Sequence, residues 1–130
     1  RLLPRPAAGH TRQRLLVGAP DSAPTPQAPD GLLDLSRYGT EAAAVRGLPG
    51  SGRILGGGLS EAMVRFAVRH EYARTVEDVL ARRIRMLFLD ARLAARLAPN
   101  VGAIISEETG ADPEIPAFEA LAVQYSHLPR

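Results

Sequence analysis

Residues 69–92 read RHEYARTVEDVLARRIRMLFLDAR. The fold turns on how this stretch is read. Val76, Val79, Leu80, Ile84, Leu87 and Ala91 recur at helical spacing and predict one apolar face. Thr75 stands where an N-cap belongs, and Asp78 follows three residues on, in the place of a capping-box acid. The pattern persists to about Leu97, so one continuous helix is expected, roughly 34 Å long at 1.5 Å per residue. Pro99 then ends that helix or opens the next one at its first turn. Arg83 falls between Val79, Leu80 and Leu87, on the apolar side. There it must find a carboxylate or carbonyls, or else escape to water. It is the foremost candidate for a structural or interdomain ion pair.

Shorter helices flank this one. Upstream, Ser60 caps a helix whose first turn carries Glu61. Met63, Phe66 and Ala67 form one apolar row of it; Val64, Val68 and Tyr72 form another, and its end is expected near Ala73. Further back, DGLLDLSRYGTEAAAVRGLPG (30–50) reads as a helix bent or divided at Gly39, with Thr40 capping the second piece. Downstream, a helix is expected from about Asn100 to Glu108 with Gly110 as its C-cap, and a last one from about Ile115 to Ser126. No convincing alternation of strand type follows residue 30. The fold class is therefore all-α, a small bundle of about five helices. Residues 1–29 contain six prolines and read as an extended, Pro-rich segment in which RLLVG (14–18) alone could form a strand. Two units are expected: 1–29 as a linker leaving another domain, and 30–130 as a helical domain.

Composition narrows the function. Apolar residues make up 45% of the 130, enough for a modest core, but aromatics only 5%, so that core must be aliphatic. The chain has no cysteine, which removes disulfides, thiolate catalysis and cysteine metal sites. No apolar run is long enough to span a bilayer. The pI near 9.7 points to an anionic partner, yet the charge distribution does not follow. Residues 1–29 hold four Arg against one acid, whereas 30–130 hold twelve Arg against thirteen acids. Within that second part, 60–97 is net +3 and 98–130 net −4, so a basic middle and an acidic end can neutralise each other on packing. Nucleic-acid binders concentrate positive charge on one folded face.

Candidate chemistry is sparse. GSGRILGGG (50–58) lacks the spacing of a phosphate cradle and reads as a flexible linker. His10, His70 and His127 are far apart and have no metal-ligand spacing. Glu107 with Glu108, or Asp112 with Glu114, could be paired carboxylates, but solvated charge is the better reading because raised pKa values need burial. Arg82, Arg85, Arg92 and Arg96 would share one face of the long helix and could bind an anion. A solvated face with local pairs such as Asp78–Arg82 is preferred.

The chain nonetheless resembles a known family. AVRHEYA (67–73), Thr75, EDVLARR (77–83) and FLDAR (88–92) are similar to the C-terminal helical domain of the FAD-dependent glycerol-3-phosphate dehydrogenases, the aerobic, quinone-linked type. HTRQRLLVGAP (10–20), RYGTEAAAV (37–45), VGAIISEETGAD (101–112) and FEALAVQY (118–125) agree with its flanks. Met63, Ile84 and Ala111 depart from the residues usual in the family, an acid, Thr and Trp. The resemblance implies an enzyme that oxidises sn-glycerol 3-phosphate to dihydroxyacetone phosphate, passing the hydride to FAD and the electrons to a membrane quinone. FAD and substrate would be bound by a preceding, larger N-terminal domain. This chain is then expected to carry no catalytic, cofactor-binding or metal residue and no activity of its own. Thr75, Asp78, Arg82, Arg83 and Tyr72 become structural or interdomain candidates. The expected partners are the parent's own N-terminal FAD and substrate domain, a second copy in a homodimer, and the quinone and membrane surface reached through the parent. A cytoplasmic location, peripheral on the inner face of the membrane, goes with them. The competing reading is a helical module that binds anions or nucleic acid through the Arg82/Arg85/Arg92/Arg96 face.

Overall fold

A computed structural model describes residues 35–127. The expected extended segment at 1–29, with its RLLVG piece, lies outside them. The described part is mostly helical, as the sequence pattern requires. A 3-10 helix, Leu35–Glu41, runs into α1 (Ala42–Arg46). Gly39 (φ 51°, ψ −125°) makes the kink expected there. Glu41 holds the N-cap position of α1 with no side-chain bond, so Thr40 does not cap it.

The glycine-rich segment departs from expectation. It is a β-hairpin, β1 (Ile54–Gly56) paired antiparallel to β2 (Leu59–Ser60). Gly57 and Gly58 form its two-residue turn with φ of 56° and 81°, the positive values that a tight hairpin turn demands. A Cβ on Gly57 would lie 2.8 Å from Met86 Cε, so the turn also rests against the core. Short strands ending in glycines carry too little alternation to be read as strands.

α2 (Glu61–His70) is capped by Ser60, whose hydroxyl accepts the Met63 amide at 3.3 Å. All eight residues from Glu61 to Val68 are buried, so this is a central helix with no solvent face along that length. It packs on α4, on α1 and on the hairpin. It stops at His70, and Glu71 to Thr75 form a turn.

The long helix predicted from Thr75 to Leu97 is three pieces. Asp78–Arg83 forms a π-helical turn, closed by the Ile84 amide on the Val79 carbonyl at 3.0 Å. Arg85 then adopts a left-handed conformation (φ 60°, ψ 18°) and breaks the chain direction. α3 (Met86–Leu89) buries Met86 and Leu87 and leaves Phe88 and Leu89 exposed. Asp90 starts α4 (Ala91–Thr109) by accepting the Leu93 amide at 2.9 Å. α4 continues through Pro99, which neither ends it nor opens a new helix. The proline is exposed, and on a solvent-facing side the carbonyl it leaves unbonded can face water. Gly110 (φ 68°) caps α4 as expected. α5 (Ile115–Ser126) follows and packs along α4. They pack tightly at Gly102, where an added Cβ would meet Ile115 Cδ1 at 2.5 Å. Phe118 and Ala122 of α5 join Val101, Ile104 and Ile105 of α4 in the core.

Candidate functional site

The strongest concentration of charge inside the domain is a neutral cluster of three arginines and three glutamates. It begins in the first turn of α2. Glu61 and Arg65 stand one helical turn apart, and both side chains are only 9% exposed. Arg65 Nε donates to Glu61 Oε1 at 3.0 Å, and its Nη2 donates to Glu107 at 2.9 Å. Its Nη1 bonds Glu108. Arg69, one turn further, grips both oxygens of Glu108 at 2.7 Å in a bidentate pair. Arg53, just before β1, closes the other end on Glu61 at 2.9 Å. The cluster therefore ties the hairpin, α2 and the last turn of α4 together.

Its electrostatics keep Glu61 and Glu108 ionised. The Arg69 guanidinium, joined by Arg65 and opposed by burial, holds Glu108 down at about 2. The Arg65 hydrogen bond, against the burial, likewise lowers Glu61. Glu61, with Glu108 and Glu107, raises Arg65 further above its ordinary value. Carboxylates held ionised by guanidinium partners are poor proton donors and poor bases at neutral pH. The expectation of solvated charge therefore holds for Glu107, whose side chain is mostly exposed, and fails for Glu108, whose side chain is buried against Arg65. The neutralisation of a basic middle by an acidic end takes place here.

The second feature is the turn that follows α2. Glu71 and Ala73 both donate their amides to the Ala67 carbonyl, at 3.1 and 3.0 Å. Thr75 and Asp78 form a reciprocal cap: the Asp78 amide donates to Thr75 Oγ1 at 3.2 Å, and Asp78 Oδ2 accepts the Thr75 amide at 3.1 Å. The same oxygen accepts the Arg74 amide at 3.0 Å. Partial burial pushes the Asp78 carboxyl up, but these amides outweigh it and hold it below its ordinary value. Val76 donates to the Pro113 carbonyl at 3.0 Å and so ties the turn to the loop before α5.

Tyr72 sits at the apex of this turn. It is 81% exposed and left-handed at φ 61°, so it leaves the apolar row that the sequence assigned to it. The helix ends two residues earlier, and the turn swings the ring outward. Arg83 is likewise not buried. It reaches the Glu71 carbonyl and lies 3.8 Å from the Glu71 carboxylate, on the surface. The π-helical turn shifts the helical phase and moves Arg83 off the apolar side. Arg82 pairs with Asp78 and with Glu77, both at 3.0 Å. Arg65, which the sequence reading did not single out, occupies the buried position one helical turn after Glu61.

The third feature is an open groove of about 500 Å³ between the π-helical turn, α3 and α5. Leu87, Phe88, Leu121 and Tyr125 line it, with Arg82 and Arg85 among its polar residues. Phe88 and Tyr125 meet edge to face at 5.3 Å. The single-helix face expected of Arg82, Arg85, Arg92 and Arg96 does not form: the breaks at Arg85 and Asp90 put Arg92 and Arg96 on a separate helix. Among the described residues no group of acids and histidines could hold a metal ion. No helix among them is long and apolar enough to cross a membrane.

Residues 34–115, well over half of the chain, match the family described as the C-terminal domain of alpha-glycerophosphate oxidase. The chain belongs to this family. The match runs from the 3-10 helix to the first residue of α5 and includes the ion-pair cluster and the turn at Tyr72. Two curated relatives agree with it. The mitochondrial glycerol-3-phosphate dehydrogenase of Schizosaccharomyces pombe is 43% identical over 51 residues, 39% of this chain and 8% of the relative. A probable mitochondrial glycerol-3-phosphate dehydrogenase of Caenorhabditis elegans is 46% identical over 50 residues, 38% of this chain and 7% of the relative. The matched stretch is thus less than a tenth of either relative's length. No solved structure matches the chain.

Proposed function

We propose that this chain is the C-terminal helical domain of an FAD-dependent glycerol-3-phosphate dehydrogenase that passes electrons to a quinone. In that enzyme the domain is a docked structural cap. FAD and glycerol 3-phosphate are held by the larger N-terminal part. The observation that carries this reading is the family match over residues 34–115. The fate of the buried charges supports the cap role, because Glu61, Arg65 and Glu108 are consumed in pairing with one another. Partners are then the parent's own N-terminal domain, a second parent copy, and the membrane surface where quinone is found. The parent resides in the cytoplasm, peripheral on the inner membrane face.

Steady-state turnover tests the reading. The full-length parent should reduce a quinone or dye acceptor when given glycerol 3-phosphate and should carry a flavin absorption band. The 130-residue chain should carry no stoichiometric flavin. Turnover with another hydroxy acid or an amine, and none with glycerol 3-phosphate, would move the parent to a sister oxidase class.

A further inference from the structure

We infer that Tyr72 is the anchor by which this domain docks on the rest of the parent enzyme. Its ring enters an apolar slot there, and the rim of that slot carries a carboxylate for Arg74. The inference rests on the cap reading above and names the contact through which the cap is held.

Four observations converge on this residue. The residue is 81% exposed, against 61% for Ile54 and 58% for Leu89, the next most exposed large apolar residues among those described. Its backbone lies in the left-handed region at φ 61°, where glycine would sit without strain and a bulky residue is held only if its surroundings over-determine it. They do so here. The Glu71 and Ala73 amides are fixed on the Ala67 carbonyl, the Glu71 carbonyl is held by Arg83, and the Arg74 and Thr75 amides are fixed on Asp78. Every peptide flanking Tyr72 is therefore bonded, and the ring is aimed outward from a rigid turn. None of these bonds uses the ring or hydroxyl. Finally, the Arg74 guanidinium makes no hydrogen bond or ion pair among the described residues, although its amide is engaged.

A pre-positioned, water-exposed tyrosine beside an unpaired arginine is the composition of an interface anchor. Tyr and Arg are enriched among residues that dominate binding, and a backbone already fixed loses little freedom on docking. The occupant follows from the family: the domain is described as C-terminal, and the shared stretch is only 8% and 7% of the relatives' lengths. The remaining polypeptide is covalently attached, so it is present at high effective concentration. A partner surface complementary to Tyr72 and Arg74 is apolar at its centre and acidic at its rim.

Hydroxyl-radical footprinting of the 130-residue chain and of the full-length parent tests this. Tyr72 should oxidise readily in the chain. In the parent its oxidation should fall about tenfold, the ratio between an 81% exposed residue and a buried one. Tyr72→Gly relieves the backbone, so it should leave the thermal midpoint of the 130-residue chain unchanged or raised. In the parent the same variant should raise hydrogen exchange of the docked surface about thirtyfold, the effect of losing one anchor residue. Tyr72→Asn, which also tolerates the left-handed region, should repeat both results. If Tyr72 stays as reactive in the parent while other residues of the domain become protected, the anchor is elsewhere and the cap reading survives. If no residue of the domain is protected in the parent, both readings fall. If Tyr72→Gly and Tyr72→Asn destabilise the 130-residue chain as much as they loosen the parent, the residue acts locally and the anchor role is refuted.

Discussion

The role expected of Arg83 falls to Arg65. Arg83 lies among apolar residues in the sequence but emerges on the surface, while Arg65 is buried to 9% exposure between three glutamates. Breaking a buried pair strands the charges left behind, so Arg65→Ala should lower the unfolding free energy by about 3 kcal/mol. Urea unfolding of the 130-residue chain checks this; a loss near zero would mean that water replaces the guanidinium. Arg83→Ala removes an exposed ion pair and should cost less than about 1 kcal/mol in the same experiment. The difference was hidden from the sequence because Arg65's decisive partners, Glu107 and Glu108, are 42 and 43 residues away. Thr75 and Asp78, by contrast, were legible, since a reciprocal cap is a local device within four residues.

At the scale of elements, one apolar period concealed three segments. The stripe from Val76 to Ala91 is real, and most of it is buried, yet the chain turns at Arg85 and restarts at Asp90. Asp90 is the cap on which the restart depends. Asp90→Ala should cost about 1 kcal/mol and speed hydrogen exchange at the Leu93 amide, whose acceptor it removes. Unchanged exchange at Leu93 would show that α4 needs no cap there. The hairpin makes a similar point. Gly57→Val would place a β-branched side chain at φ 56° and against Met86, and should destabilise by about 2 kcal/mol or more, read as a lower midpoint in thermal unfolding. Pro99 was a false stop because the packing of α4 on α2 and α5 outweighs one lost backbone bond.

For the molecule as a whole, the ion-pair cluster should show in the response to acid. The Glu108 carboxyl sits at about 2, well below the 4.5 it has when unpaired. A group with a depressed folded value contributes its stability fully above the unfolded value. That contribution is lost as pH falls through the window from about 4.5 to 2. Thermal midpoints should therefore be level near neutrality and drop across that window, and Glu108→Gln should flatten the drop; an equally steep fall in Glu108→Gln would assign it to other carboxylates. The sequence by itself determined the helical class, the caps at Ser60, Thr75 and Gly110, the span of α5 and the family, because each is written in local spacing or in contiguous motifs. Only the tertiary structure decided which arginine is buried, where the long helix breaks, that the glycines form a hairpin, and that Tyr72 faces outward. Those outcomes depend on contacts between segments far apart in the chain, and the free energy of burial is settled only when those segments meet.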